Sequence, residues 1–426
     1  MTMSLKCEDK GTNSDAVFWI LPYWLLSCRV RHPYCKAGRN ERDIKPLLPK
    51  RVIDLGPAED SPFSVNAPPP KSPVLVCPPP GTRAQYATLS HCWGRKPPIR
   101  TLTSNISCWL KEIPWGELPQ TFKDAFDITR KLGMRYLWID SLCIIQDSEE
   151  DWRDQSARMG DIYRRADICI SASQAKDSSE GIYHPRGPLA FSRPERLWDC
   201  PPPGLCMQAA GARAPVYAFP TRFQSEPDLL GCRGWVLQEE LLSPRRIIFG
   251  KYRVWWECLT MEAETYRPLL LNGVPDTFEY EGHFNWRQFF HAGISGLLEN
   301  LSDSASSDVS KFYKTWLFII HHYSRRKLTK GSDRLAALAG IATEFQSVTK
   351  DQYLCGLWGR YLWRQLLWCV VAPSFPAFNL LEKGNLRESR RMDDFSCMEA
   401  LMTSLNRGMS TMLTVRHRPV LELGRY

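Results

Sequence analysis

Hydrophobic and polar positions change period several times along the chain, and each change marks an element. YATLS (Tyr86–Ser90) is a short apolar run of strand formers, closed by the turn HCWG. Residues 118–133 follow, with Phe122, Ala125, Phe126, Ile128, Thr129 and Leu132 at helical spacing and Gly133 as the stop. YLWID (136–140) predicts a second strand. Residues 149–166 predict a helix with acids in its first turn and Arg164 and Arg165 in its last, which complements the dipole. DICISAS (167–173) predicts a third strand. Strand, helix, strand, helix, strand is the pattern of consecutive βαβ units, with a parallel sheet covered on both faces.

Outside this core the patterning is less regular. AVFWILPYWLLSC (16–28) is the most apolar stretch, but it is too short to span a bilayer and contains Pro22, so a core or docking helix is expected. Residues 57–82 are dense in proline and predict an extended linker. Residues 174–230 are rich in Pro and Gly and predict an insertion with a few strands. Residues 231–245 are helical in their second half, and RIIFG and YRVWWEC within 246–258 alternate like a hairpin. Residues 310–370 predict helices, with Leu335, Leu338, Ala339, Ala342 and Phe345 on one face. The expected organisation is an N-terminal segment (1–56), the linker (57–82), an α/β domain (83–260, insertion 174–230), a helical region (261–372) and an aperiodic tail (373–426).

Composition narrows the function classes. A net charge of +9, with Lys and Arg scattered among the acids, shows no basic stripe interleaved with aromatics, so no nucleic-acid partner is expected. The first residues lack the basic segment, apolar core and cleavage site of a secretory leader. The 15 cysteines are dispersed with no CxxC pair, which fits a reducing compartment rather than a disulfide framework. Cys28, His32 and Cys35 supply three potential metal ligands, but no fourth lies at finger spacing, so a metal-free reading is favoured.

Ligands of open parallel sheets collect at the carboxyl ends of the strands. That rule selects Ser90, Trp93 and Gly94 after the first strand, and Asp140, Ser141, Gln146 and Asp147 after the second. The helix start beyond Asp147 offers amides to an anion. Structural alternatives stand beside these: Asp140 as a loop cap, Cys143 as a small core residue, and Trp93 as a packing anchor. His91 and Cys92 do not form a catalytic pair, because adjacent side chains on an extended segment point to opposite faces. No GxxxxGK, GxGxxG, HExxH or GxSxG motif occurs.

Four strings resemble, in order, the signature blocks of the fungal heterokaryon-incompatibility (HET) domain: YATLSHCWG, LPQTFKDAFDITRKLGMRYLWIDSLCIIQDSEEDW, MGDIYRRADICISAS and CRGWVLQEELLSPR. RVIDLG (51–56) and SRRKLTKGSDRLAALAGIATEF (324–345) resemble segments that flank it, so the likeness covers residues 50–370. The resemblance implies a cytoplasmic effector of self/non-self recognition and programmed cell death. It implies other incompatibility proteins or further copies as partners, no membrane span and no cofactor. Members have been compared with Toll/interleukin-1 receptor (TIR) domains, which are flavodoxin-like. Several TIR domains cleave the nicotinamide–ribose bond of NAD with the glutamate of a W-C-x-x-E-L motif.

In GWVLQEELLS, Glu239 lies four residues after Trp235, with Val236 in place of the cysteine and Glu240 in place of the leucine. The resemblance therefore implies Glu239 as a catalytic carboxylate, Arg233 as a phosphate ligand, Trp93 or Trp235 as a stacking surface, and NAD as substrate. The residues also leave open a structural ion pair between Arg233 and Glu239. A non-catalytic interaction module and an enzyme of secondary metabolism are the competing readings. Family members usually continue with a PSWSWAS-like strand block where this chain reads VVAPSFPAFNLLEKGNLRESRRMDD, so an aberrant tail is expected after residue 373.

Overall fold

The structure, a computed structural model, describes residues 11–32, 35, 45–56, 72–95, 98–185, 195–198, 216–218, 228–265, 286–294 and 307–366. The tail after residue 373, and most of the insertion, lie outside these. The chain divides into two compact units, residues 1–288 and 289–426.

The first unit is built on an eight-stranded mixed sheet. Its strands are β1 (Val52–Asp54), β2 (Val74–Val76), β3 (Tyr86–Ser90), β4 (Tyr136–Trp138), β5 (Ile168–Ala172), β8 (Arg245–Phe249), β9 (Val254–Cys258) and β10 (Glu262–Glu264). β6 (Glu195–Trp198) and β7 (Val216–Ala218) form a separate antiparallel pair inside the insertion. Across the large sheet the order is β10-β9-β8-β5-β3-β4-β1-β2.

The four central strands β8, β5, β3 and β4 are parallel. Read in chain order they stand second, first, third, fourth from the β4 side, as in flavodoxin-like sheets. Every residue of β3 and β5 is buried, which is why both read as unbroken apolar runs: helices cover the two faces. β9 alternates instead, with Val254, Trp256 and Cys258 inward.

Helix α1 (Asp15–Arg31) buries Val17, Leu21, Trp24, Leu25 and Cys28, and Trp24 packs on Trp256 of β9 at 6.3 Å. It is the core helix that its apolarity predicted. Helix α2 (Gln120–Lys131) buries the predicted face, and Gly133 (φ +75°) ends it. Helix α3 (Glu149–Arg165) starts at Ser148, whose hydroxyl accepts from the Asp151 amide, and it carries Arg164 and Arg165 at its end. Helix α4 (Gly234–Leu242) leads into β8 and packs against α3. The 57–82 segment is not wholly a linker: residues 74–76 form the sheet's edge strand β2, where proline on either side is tolerated.

In the second unit, α5 (Ser307–Ser324) and α6 (Ala336–Thr349) bear out the helical reading, and α6 buries Leu338, Ile341, Ala342 and Phe345. The segment beginning YLCGLW departs from it. Tyr353–Leu354 (β11) and Leu357–Trp358 (β12) form a tight hairpin, because Cys355 (φ 49°) and Gly356 (φ 102°) adopt the left-handed geometry of a two-residue turn. Trp358 then closes an aromatic cluster, 4.6 Å from Phe345 and 5.2 Å from Trp316. Apolar periodicity over so short a stretch does not separate helix from hairpin; the CG pair does.

Among the described residues, no helix is long and apolar enough to cross a membrane, and all ten described cysteines are free.

Candidate functional site

The carboxyl ends of β3 and β4 and the first turns of α4 meet at one rim of the sheet. Ser90 is the last residue of β3 and pairs in register with Ser171 of β5. Its hydroxyl donates a short hydrogen bond to Glu239 Oε2. Tyr163 of α3 donates to the same oxygen at 3.0 Å, and both hydroxyls are buried. Glu239 itself is only 6% exposed. Burial pushes its pKa up to about 7; the Ser90 and Tyr163 bonds offset this only in part, and the Asp140 charge adds to it. Burial, then the nearby Glu239 charge, keeps the Tyr163 phenol well above its ordinary range and therefore neutral.

The chain turns at His91, and the next side chain points the other way. While Ser90 faces α3 and α4, the His91 ring stands edge-on to Phe122 of α2 at 5.1 Å. This is the alternation that excluded a His91–Cys92 pair. His91 Nδ1 is 3.9 Å from Asp140 Oδ1, and Nε2 is buried without a hydrogen-bond partner. Burial lowers the His91 pKa to about 4 against the pull of Asp140, so the ring is neutral near pH 7.

Asp140 opens a one-turn helix (Asp140–Cys143) immediately after β4. Its Oδ1 accepts from the Ser141 amide at 2.7 Å, and its Oδ2 accepts from Trp93 Nε1 at 2.9 Å. The carboxylate is both a loop cap and the link between the two predicted turns, and at 24% exposure it is the most open acid of the group. Gly94 (φ +77°) makes the turn possible, since a Cβ there would lie 2.2 Å from Asp177 Cβ.

Arg233 caps the start of α4, and its Nη1 donates to the His91 carbonyl. Among the described contacts it does not bond Glu239, so the structural ion pair considered from sequence is replaced by a tie between α4 and the β3 turn. Its charge still acts on Glu239, favouring the ionised form.

The remaining predicted positions have other partners. Gln146 donates to the carbonyls of Asp140 and Ile144, bracing the loop. Asp147 is exposed and accepts from the Thr103 amide and hydroxyl. Trp235 packs edge-on to Trp152 of α3 at 6.5 Å, which ties the two helices together and leaves Trp93 as the aromatic joined to Asp140. The Ser141 hydroxyl is buried and unpartnered. Cys143 is fully buried, and burial pushes its thiol up to about 12, as a core residue requires. At the start of α3 the Asp151 amide is taken by the Ser148 hydroxyl, and the Asp151 carboxylate by Arg51 and Lys50.

Sequence reasoning missed Tyr163 and gave His91 no separate role. Tyr163 sits on the inward face of an amphipathic helix, where an aromatic reads as core packing; only tertiary placement shows its hydroxyl on Glu239.

The geometry of this rim coincides with the comparison findings. A family model described as Heterokaryon incompatibility protein (HET) matches residues 86–239, from the first residue of β3 to Glu239 itself. No curated protein and no solved structure matches the chain. Residues 86–239 carry three of the four central parallel strands (β3, β4 and β5), their crossover helices and every group around the rim carboxylate, and they constitute a heterokaryon incompatibility (HET) domain.

Proposed function

We propose that this protein is an effector of heterokaryon incompatibility whose HET domain hydrolyses the nicotinamide–ribose bond of NAD at the β3/β4 rim, with Glu239 as the essential carboxylate. The observation that carries the reading is a lone glutamate, shielded from water, held by two hydroxyls at the carboxyl end of a parallel strand. A carboxylate in that setting stabilises positive charge developing on a ribose ring or accepts a ribose hydroxyl. In the reaction the C1′–N bond breaks, its electron pair leaves with neutral nicotinamide, and a water oxygen bonds C1′ and releases a proton. A pKa near 7 suits Glu239 to take that proton. Trp93 offers a ring face and Arg233 its remaining N–H groups for a phosphate. Entry is assigned to the Asp140–Trp93 side, whose two side chains are partly exposed.

Incubation of the purified chain with NAD is expected to release nicotinamide, and Glu239→Gln is expected to slow release by about 10²–10³-fold. Equal release by the folded variant removes Glu239 from the mechanism. Absence of release by wild-type protein that kills cells removes the enzymatic reading.

A second reading, an interaction module that acts by assembly, is favoured by α1. Trp19, Leu26 and Val30 are exposed at 45%, 60% and 55%, and Trp19 stacks on Tyr23, so they form one apolar stripe at helical spacing. If assembly uses this stripe, sedimentation shows a concentration-dependent oligomer that Leu26→Asp reduces to monomer. A wild-type protein that is monomeric at all concentrations and still kills excludes it.

A further inference from the structure

The fourth ligand missing from the N-terminal triplet is supplied by the sheet. Cys28 and His32 lie one helical turn apart at the end of α1, and Cys35 is three residues further along the chain. Cys258 is the last residue of β9, paired with Arg245, the first residue of β8. The ligand atoms of Cys28, His32, Cys35 and Cys258 all lie within 4.8 Å of one another. His32 Nδ1 is 3.3 Å from Cys258 Sγ and 3.9 Å from Cys35 Sγ. Ligands at zinc bond lengths of about 2.3 Å (sulfur) and 2.0–2.1 Å (nitrogen) stand roughly 3.5–3.8 Å apart at tetrahedral angles. We propose that these four residues form a closed Cys₃His zinc site that fastens α1 to the sheet.

Two further observations support it. The sulfurs are surrounded by donors, as thiolate ligands are: Arg245 Nε to Cys28 Sγ at 3.1 Å, the Met261 amide to Cys258 Sγ at 3.2 Å, and the Thr260 hydroxyl beside Cys35 Sγ at 3.4 Å. The charges also balance. Zn²⁺ with three thiolates and a neutral imidazole carries one negative charge. Beside it, Arg29 and Arg245 share the single carboxylate of Asp167, a local excess of one positive charge.

Four protein ligands leave no open position, so the site is structural rather than catalytic. It sits at the amino-terminal ends of β5 and β8, opposite the rim that carries Glu239. The finger-spacing criterion missed it because the last ligand is close only in the folded sheet.

Full-length protein purified without chelator is expected to carry about one zinc per chain by plasma mass spectrometry. Cobalt exchange into the same protein is expected to give a thiolate-to-cobalt charge-transfer band and the visible bands of a tetrahedral ion. Cys258→Ser and His32→Ala are expected to lose the metal, whereas Cys108→Ser, at an exposed thiol, keeps it. Because removal of a ligand can unfold a zinc-held element, the cobalt spectrum of the unsubstituted chain decides independently. Metal-free wild-type protein that takes up no cobalt, or a disulfide between any two of Cys28, Cys35 and Cys258 in peptide maps, overturns the proposal.

Discussion

Between pH 5 and pH 8, Glu239→Gln is expected to gain about 3 kcal/mol of stability relative to the wild type. Burial raises the Glu239 pKa from an ordinary 4.5 to about 7. In the part of that window below about 7, the folded chain holds a proton that the unfolded chain has released. A carboxyl with a raised folded pKa contributes stability that is present below 4.5 and lost as pH rises through about 7. Glutamine has nothing to release, so its curve lacks that slope.

The absolute difference at one pH is a poor readout, because the new amide needs partners of its own and an unsatisfied one costs about 1–3 kcal/mol. The change in the difference with pH is free of this term. It is also free of His91 and Asp151, which titrate alike in both proteins. Urea unfolding at half-unit steps of pH measures it. Parallel curves for the two proteins show that Glu239 is ionised in the fold, with the two hydroxyls stabilising the charge.

Such a residue weakens the domain at neutral pH, and that is how buried acids with chemical roles differ from packing residues. Methionine or leucine in its place would spare the fold a partly charged group, at the cost of the acceptor of Ser90; the Tyr163 hydroxyl would keep the Leu89 carbonyl at 3.1 Å. The proposed activity and the pH slope thus arise from the same burial, yet each is measured without the other.

What the sequence disclosed follows from the range of the forces involved. β3, β5, α2 and α3 were legible because their signals are local: unbroken apolarity for strands buried on both faces, a 3.6-residue stripe, a serine cap and a glycine stop. The rim was legible through the parallel topology, which placed Ser90 and Asp140 together before any coordinate was known. Partners chosen by long-range packing were not legible. Tyr163 reads as core, Trp235 reads as a ligand surface until Trp152 is seen against it, and Arg233 reads as an ion-pair partner until its guanidinium is found on the His91 carbonyl. Strand β1 and the edge strand β2 were obscured by surrounding proline and by their three-residue length.

Asp151→Ala is expected to cost about 3–5 kcal/mol, the usual loss when one member of a buried ion pair is removed. Its carboxylate takes a short bond from Arg51, a 2.9 Å bond from Lys50 and a 2.9 Å bond from the Ile145 amide. Arg51 is itself buried and donates to the Cys143 carbonyl at 2.7 Å. One carboxylate therefore joins β1, the start of α3 and the loop that descends from Asp140. Removing it leaves a guanidinium in the interior with a single carbonyl for company. Removing both charges, as Arg51→Met with Asp151→Leu, is expected to restore most of the loss, because the penalty lies in the unpaired charge rather than in the missing pair.

The acid limb gives a second reading of the same contact. Burial pushes the Asp151 carboxyl up, but the Arg51, Lys50 and Ile145 bonds outweigh it and hold the pKa at about 2. A carboxyl with a depressed folded pKa contributes stability above its unfolded value near 4, and this is lost as pH falls through about 2. The wild type is then expected to weaken more steeply than the double variant below pH 4. A single variant within about 1 kcal/mol of wild type would show that the contact is a solvent-screened surface pair. In that case the Asp140 loop is held by its other bonds, among them the Gln146 side chain on the Asp140 carbonyl, the Thr101 amide on the Ser141 carbonyl and Trp93 on the Asp140 carboxylate.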